Sequence, residues 1–371
     1  AVGYQSGYYN STGTSNVFIG GHDAGGFAAG LYNTTGSYNT MVGAGALKSN
    51  TTADANTALG YQAAYSQTTG ALYTVAVGYQ ALKANTSGAT NNALGFQALT
   101  ANTAGSNNNA FGSFSLANST TGNFNTAFGD QSLRSNTTGA YNVAVGTQAL
   151  QANTSASNNT ALGFQAGFSN TTGDRSVFVG TEAGYSATGY GNTCIGYKAG
   201  NQTTQLTTGI ANILLGPYSK PAAGSDQFSI VIGWNAVGKG SSTGIIGGGD
   251  GGTSAMYQGN NSATWSTTSD QRLKKNIVDN TDGLSKIASI RVRNFEYRLP
   301  EEIDAELNPS DAIKRTGVQL GVIAQELQEV LPECVKQEST GVLSVDTDNL
   351  VWYLVNSIQE LKAEIELLKG N

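Results

Sequence analysis

Residues 1–246 alternate brief apolar triplets with longer polar stretches, and the triplets return at a nearly constant interval. A small or branched apolar residue followed by glycine marks each return: Gly3, Gly20, Gly43, Gly60, Gly78, Gly95, Gly112, Gly129, Gly146, Gly163, Gly180, Gly196, Gly216 and Gly233. Most steps are 17 residues, and residues 92–108, NALGFQALTANTAGSNN, represent the unit. A period this short predicts one coil of a β-solenoid per repeat, because it holds two short strands and two turns but no helical hairpin. The alternation around each Ala-Leu/Val/Phe-Gly predicts strand, and the Asn, Thr, Ser and Gly between triplets predict turns. Beyond Trp265 the pattern changes. Residues 284–298, LSKIASIRVRNFEYR, predict a short helix running into an alternating strand. Residues 317–335, GVQLGVIAQELQEVLPECV, predict a strand running into a helix that stops at Pro332. Finally Val351, Leu354, Ile358, Leu361, Ile365 and Leu368 alternate spacings of three and four, a heptad seam for a coiled-coil end over 349–369. The expected fold is mostly β: a solenoid or β-roll shaft of 17-residue coils over 1–246, a Gly-rich junction over 247–265, and a small α+β domain over 266–371 ending in that helix.

Such coils are poor folders alone. Each offers only about three or four apolar side chains, many of them alanine, and burial at roughly 25 cal/mol per Å² does little against about 1–2 kcal/mol per residue of ordering. Stacking of coil on coil is one remedy, with glycine at the marked position allowing close backbone approach. Lateral association of three chains, pooling their alanine and leucine faces, is the other, so the shaft is expected to be trimeric.

Charge divides the chain at the same place as pattern. Residues 1–263 hold seven Lys/Arg and seven Asp/Glu, and residues 264–371 hold twelve and eighteen, so the whole net charge of −6 lies in the C-terminal part. Neither part has the basic stripe that phosphate-backbone binding needs, which excludes nucleic acid as the expected partner. No apolar run approaches the roughly 20 residues that span a bilayer, so membrane insertion is not expected either. The N-terminal Ala1-Val2-Gly3-Tyr4 reads as the middle of a repeat. Cys194 and Cys334, one in each part, suit neither a disulfide framework nor a zinc cluster, and no metal or cofactor is expected.

Several features of the shaft invite chemistry and are better explained by periodicity. His22, the only histidine, falls two residues after Gly20, in the column that elsewhere holds Gln62, Gln80, Gln97, Gln131, Gln148 and Gln165, and reads as a ladder residue. Tyr4, Tyr61, Tyr79, Phe96, Phe164, Tyr197 and Trp234 recur one position after the glycine. That column reads as packing, with a sugar-stacking strip as the alternative. Asn-x-Thr/Ser triplets such as Asn33-Thr34-Thr35 and Asn136-Thr137-Thr138 read as turn chemistry, with glycosylation as the alternative. The cluster Gly247-Gly248-Gly249-Asp250-Gly251-Gly252 lacks the ending of a phosphate loop and reads as a linker.

The shaft repeats resemble the β-roll heads of trimeric autotransporter adhesins and the shaft repeats of phage tail fibres, with a longer period than those heads. The C-terminal part resembles the endosialidase-type intramolecular chaperone, a self-cleaving trimeric module at the ends of phage tailspikes and tail fibres. Ser269, Asp270, Arg272, Leu273, Lys274 and Ile277 meet its Ser-Asp-x-Arg-Leu-Lys-x-x-Ile motif, and Gly321 to Glu326, Glu329, Pro332 and the heptad tail repeat its order of elements. The resemblance implies a homotrimer on a virion tail fibre or extracellular surface, and autoproteolysis of the Thr268–Ser269 bond with Ser269 as nucleophile and Lys274 as general base. A serine hydroxyl needs a base, and lysine serves once its pKa falls from about 10.4 towards neutral, as Arg272 and Lys275 nearby and burial on assembly would favour. Lys275 is the competing base. Asp270, Arg272 and Glu326 are candidate supporting residues, and Glu326 and Asp346 read equally as structural or as orienting the dyad. The alternative function is a surface adhesin whose repeats bind a cell-surface glycan or receptor and whose C-terminal domain stays attached as a trimer cap. No acid/base pair or metal constellation recurs elsewhere to support an enzyme with an external substrate.

Overall fold

The structure is a computed structural model that describes residues 1–22, 25–70, 72–248, 256–258, 271–303, 316–337, 342–347 and 349–370, without the side chains of 256–258 and 300. The 247–265 junction falls mostly outside these residues. The chain divides into two compact units, Ala1–Thr268 and Ser269–Asn371.

The first unit is a β-solenoid. Fourteen three-residue strands, from β1 (Val17–Ile19) through β5 (Asn92–Leu94), β6 (Asn109–Phe111) and β10 (Val177–Val179) to β14 (Gly244–Ile246), stack in sequence order into one parallel sheet. A fifteenth, β15 (Met256–Gln258), pairs antiparallel with β14 and ends the ladder. Register is residue on equivalent residue, as in Asn92↔Asn109, Ala93↔Ala110 and Leu94↔Phe111. The middle residue of each triplet points inward and is usually alanine, as at Ala58, Ala76, Ala93 and Ala127, all buried.

Only one strand forms per coil, where the repeat length predicts two. The second apolar segment, Gln97-Ala98-Leu99 in the coil of β5, does make inter-coil bonds: Gln97 N–H donates to the Tyr79 carbonyl (2.9 Å) and Leu99 N–H to that of Ser115 (3.0 Å). Gln97 and Leu99, however, have φ of 52° and 51°, so alternate residues are left-handed and the segment cannot be a pleated strand. This alternation recurs at Gln80/Leu82, Gln131/Leu133 and Gln148/Leu150. It turns the chain tightly enough to bury Ala98 and Leu99 beneath the strand within 17 residues. A left-handed residue costs about 1–2 kcal/mol, offset here by ladder bonds and burial. The marker glycine makes the bend at the strand's end: Gly95 has φ 144°, and a Cβ there would lie 2.4 Å from the Gly112 carbonyl oxygen of the next coil.

Alanine and the second-segment leucines such as Leu99 are therefore buried inside each coil, whereas strand leucines such as Leu59, Leu94 and Leu162 remain exposed. The wall opposite is polar. Asn91, Asn108, Asn125, Asn142 and Asn159 form one buried ladder and Asn33, Asn50, Asn85, Asn102, Asn136, Asn153 and Asn170 most of another. Asn125 shows the pattern: its N–H donates to Asn108 Oδ1 (3.0 Å) and its Nδ2 to the Gly139 carbonyl (2.8 Å). Asn33 and Asn136, the triplet asparagines, are fully buried in this ladder, where no glycosyl group fits.

His22 departs from the expected column. The step from β1 to β2 (Thr40–Val42) is 23 residues, and the backbone of Phe27-Ala28-Ala29 takes the ladder place, Gly45 N–H donating to the Phe27 carbonyl (2.7 Å). The insertion leaves His22 exposed with its ring edge-on to Tyr4.

The second unit is small and α+β. It contains α1 (Leu284–Ser289), β16 (Arg293–Phe295), β17 (Gln319–Gly321), α2 (Ala324–Val330), β18 (Val335–Gln337), β19 (Leu343–Val345) and α3 (Leu350–Lys369). β16 pairs antiparallel with β17, and β18 with β19. Its core centres on Leu327, Leu331 and Cys334, packed by Ile290, Val322, Val330, Val335, Val345, Leu350 and Tyr353. Pro332 ends α2 as its ring requires.

Candidate functional site

The Ser-Asp-x-Arg-Leu-Lys-x-x-Ile motif enters the described residues at a 3₁₀ turn, Gln271–Leu273, closed by Lys274 N–H donating to the Gln271 carbonyl (3.1 Å). Thr268, Ser269 and Asp270 lie outside the described residues. Arg272, Leu273, Lys274, Lys275 and Ile277 are exposed in the single chain, as is Val278. Asn276 is left-handed at φ 54° and redirects the chain.

Downstream, the motif's continuation is fastened to the heptad helix. Asn356 Nδ2 on α3 donates to the Asn280 carbonyl (2.8 Å) and the Asp282 carbonyl (2.9 Å), and Leu284 N–H donates to Glu360 Oε2 (2.9 Å). Gly283 lies against α3 so closely that a Cβ would stand 2.6 Å from Ser357 N. These contacts make α3 the element that positions the segment leading back to Lys274. Sequence periodicity identifies α3's seam but gives no sign that Asn356 and Glu360, on its other positions, hold this segment.

The seam itself faces water. Val351, Leu354, Ile358, Leu361, Ile365 and Leu368 are all exposed, so α3 packs on its own domain through other positions, Leu350 and Tyr353 among them, and not through the seam.

Glu326, in the first turn of α2, receives two bonds from Arg293 on β16, Nε to Oε2 at 3.1 Å and Nη2 to Oε1 at 2.7 Å, with Arg291 at 3.5 Å. The Arg293 hydrogen bonds hold the Glu326 carboxyl below its ordinary range, against a smaller opposing effect of desolvation. The pair ties β16 to α2. Arg291 and Arg293 were not predicted as site residues; their only sequence signal is two cations two apart in a strand, on one face. Asp346 is paired with Lys336 across β18 and β19. Tyr353 on α3 donates its hydroxyl to Glu333, which lowers the Glu333 carboxyl's pKa and raises the phenol's. Burial raises the thiol of Cys334.

On the shaft, the column after the glycine forms an exposed aromatic ladder. Tyr61 and Tyr79 stack at 5.4 Å and Tyr79 and Phe96 at 5.2 Å, with planes within 18° and 7° of parallel. Gln80 Nε2 donates to Gln62 Oε1 (2.9 Å) and Gln97 Nε2 to Gln80 Oε1 (3.0 Å) beside them. In this run of three rings, Tyr61, Tyr79 and Phe96, the faces cover one another, whereas a sugar platform presents a free face. This is packing.

Compared with known families, residues 269–336 match the model described as chaperone of endosialidase, whose family name is that of a peptidase. The match begins at Ser269 and covers the motif, both strands β16 and β17, and α2. The C-terminal unit thus carries an endosialidase-type chaperone domain behind a β-solenoid shaft, the organisation of a tail-fibre- or tailspike-like protein. Among the described residues no helix is long and apolar enough to cross a membrane.

Proposed function

We propose that this chain is a segment of a homotrimeric tail fibre or tailspike whose C-terminal domain aligns three chains, lets the shaft wind, and then cuts itself away at Thr268–Ser269. The observation that carries the proposal is the family match, which starts at Ser269, the residue whose motif resembles a self-cleaving serine. The two compact units divide between the same two residues.

The chemistry follows from the motif. Ser269 Oγ attacks the Thr268 carbonyl carbon while the neutral amine of Lys274 takes the hydroxyl proton. The tetrahedral adduct expels the Ser269 nitrogen as an amine, which takes the proton back from Lys274, leaving Thr268 as an ester on Oγ. Water then hydrolyses that ester, releasing a Thr268 carboxylate and restoring the hydroxyl. Three α3 helices packed by their seams would fix Asn356 and Glu360, hence the 280–284 segment, and so deliver Lys274 in register. Cleavage would then follow assembly.

Such a device suits this shaft. Near-identical coils pair with one another at similar energy, so slips of register compete with correct stacking, and the long-range closure is slow. A clamp at one end sets the register, and its departure replaces equilibrium stability with kinetic stability.

The test is the denatured mass of freshly made protein beside Ser269→Ala, Lys274→Ala and Lys275→Ala. Wild type and Lys275→Ala are expected as two fragments meeting at Thr268–Ser269, and the other two variants as the intact 38.2 kDa chain. A folded wild-type trimer that stays whole would make the domain a permanent cap.

A further inference from the structure

The outward side of the solenoid's parallel sheet is a strip in which the third residues of the triplets form a continuous apolar column, beside first positions that are Val or Ile at six rungs and Thr, Asn or Gly at the other eight. In each triplet the first and third residues face out, and none of these positions in β1 to β14 carries a charge. The third positions are Ile, Val, Leu or Phe at every rung. Leu59, Leu94, Phe128 and Leu162 are 46–58 % exposed and stand proud of the less exposed Val77 and Val145 between them. At about 4.8 Å per rung the strip runs for roughly 60 Å. At on the order of 50 Å² of apolar surface per rung it exposes roughly 700 Å². That exceeds the few hundred Å² of a monomer's stray patch, and about a threefold axis it is shared between two neighbours, roughly 350 Å² from each chain to each contact.

We infer that this strip is the surface by which the shafts of three copies of this chain pack on one another about a common axis. The inference rests on the trimeric reading above and assigns its interface. Rise decides the occupant. The corrugation repeats with the coil, so a partner of another fold would match it at one or two rungs, whereas a second copy has the same rise and matches it along its whole length. Packing also needs all copies parallel and in register, which is the arrangement that a parallel heptad helix such as α3 imposes. Of the remaining sides, the asparagine ladders are buried, and Tyr61, Tyr79 and Phe96 stack on one another within the chain.

The experiment labels single introduced cysteines in the uncleaved Ser269→Ala chain with a maleimide, while light scattering gives the mass. Leu94→Cys and the nearly isosteric Thr160→Cys sit on the strip, and Tyr141→Cys, 57 % exposed in the wild-type side chain, sits off it. Buried Cys194 and Cys334 set the unreactive baseline. At trimer mass, both strip cysteines are expected to react at least about tenfold more slowly than Tyr141→Cys, with equal rates after denaturation. A trimer whose strip cysteines react as fast as Tyr141→Cys overturns the interface and leaves the trimer standing. A monomer overturns both, and a trimer with only Thr160→Cys protected, where Leu94→Cys fails to assemble, still supports the strip.

Discussion

A buried asparagine in this shaft does the work that a second hydrophobic wall would do elsewhere. Many of these amides reach a carbonyl or amide of an adjacent coil, as Asn102 Nδ2 does to Asn85 Oδ1 (2.9 Å) and Asn50 Nδ2 to Asn33 Oδ1 (2.6 Å). The ladder has a fault at Ser119. There Asn102 Oδ1 and Ser119 Oγ are both buried without a hydrogen-bond partner, because serine is too short to bridge the coils. Ser119→Asn should restore Nδ2 donation to Asn102 and raise stability by about 1 kcal/mol. A rise in the thermal midpoint of the uncleaved Ser269→Ala chain checks it, and no rise would mean the wider side chain costs as much as the bonds return. Cys194 shows the opposite environment: burial alone pushes its thiol to about 12, which removes it from redox chemistry in the folded shaft.

At the scale of the coil, volume is conserved across columns. Regular coils place alanine at the strand centre and leucine beneath it, as in Ala144 with Leu150. β10 instead carries Phe178, and the leucine column becomes Gly167 and Gly184 on its two sides. A Cβ on Gly184 would lie 2.1 Å from Phe178 Cδ1, and one on Gly167 2.5 Å from its Cδ2. Phe178→Ala should cost about 3–5 kcal/mol through the cavity it leaves. Adding Gly167→Leu and Gly184→Leu should recover most of that, since left-handed leucine is already tolerated at Leu133 and Leu150. Denaturant midpoints of the single and triple variants measure this, and a triple variant no better than the single one would sink the exchange. Such irregular coils also reduce the degeneracy of the stack, because a strand-centre Phe fits only between glycines, as Phe178 does between Gly167 and Gly184 and Phe18 between Gly7 and Gly30.

For the whole molecule the coupling of assembly to cleavage is the point at issue. Ile358 lies on the exposed seam of α3 two residues from each of Asn356 and Glu360, which hold the segment downstream of Lys274. Ile358→Asp puts a charge in the seam while leaving those two residues in place. The chain is expected to remain a monomer at 38.2 kDa, uncleaved, by light scattering and denatured mass. Efficient cleavage in that monomer would separate the chemistry from assembly.

The amino-acid sequence by itself determined the solenoid, its period, the order of elements in the second unit and the extent of α3, because repeats and heptads are local patterns written by burial. It also carried the chaperone motif to Lys274 and Ile277. Only the tertiary structure decided that each coil holds a single strand, since alternating left-handed residues such as Gln97 and Leu99 look like strand in composition. It decided, too, that His22 leaves the ladder and that Asn356 grips the motif's continuation, because both depend on neighbours distant in the chain. Which apolar residues are core and which are left for a partner was likewise invisible in the repeat: Ala93 and Leu94 are adjacent, and only the closing of the coil turns one inward and the other to solvent.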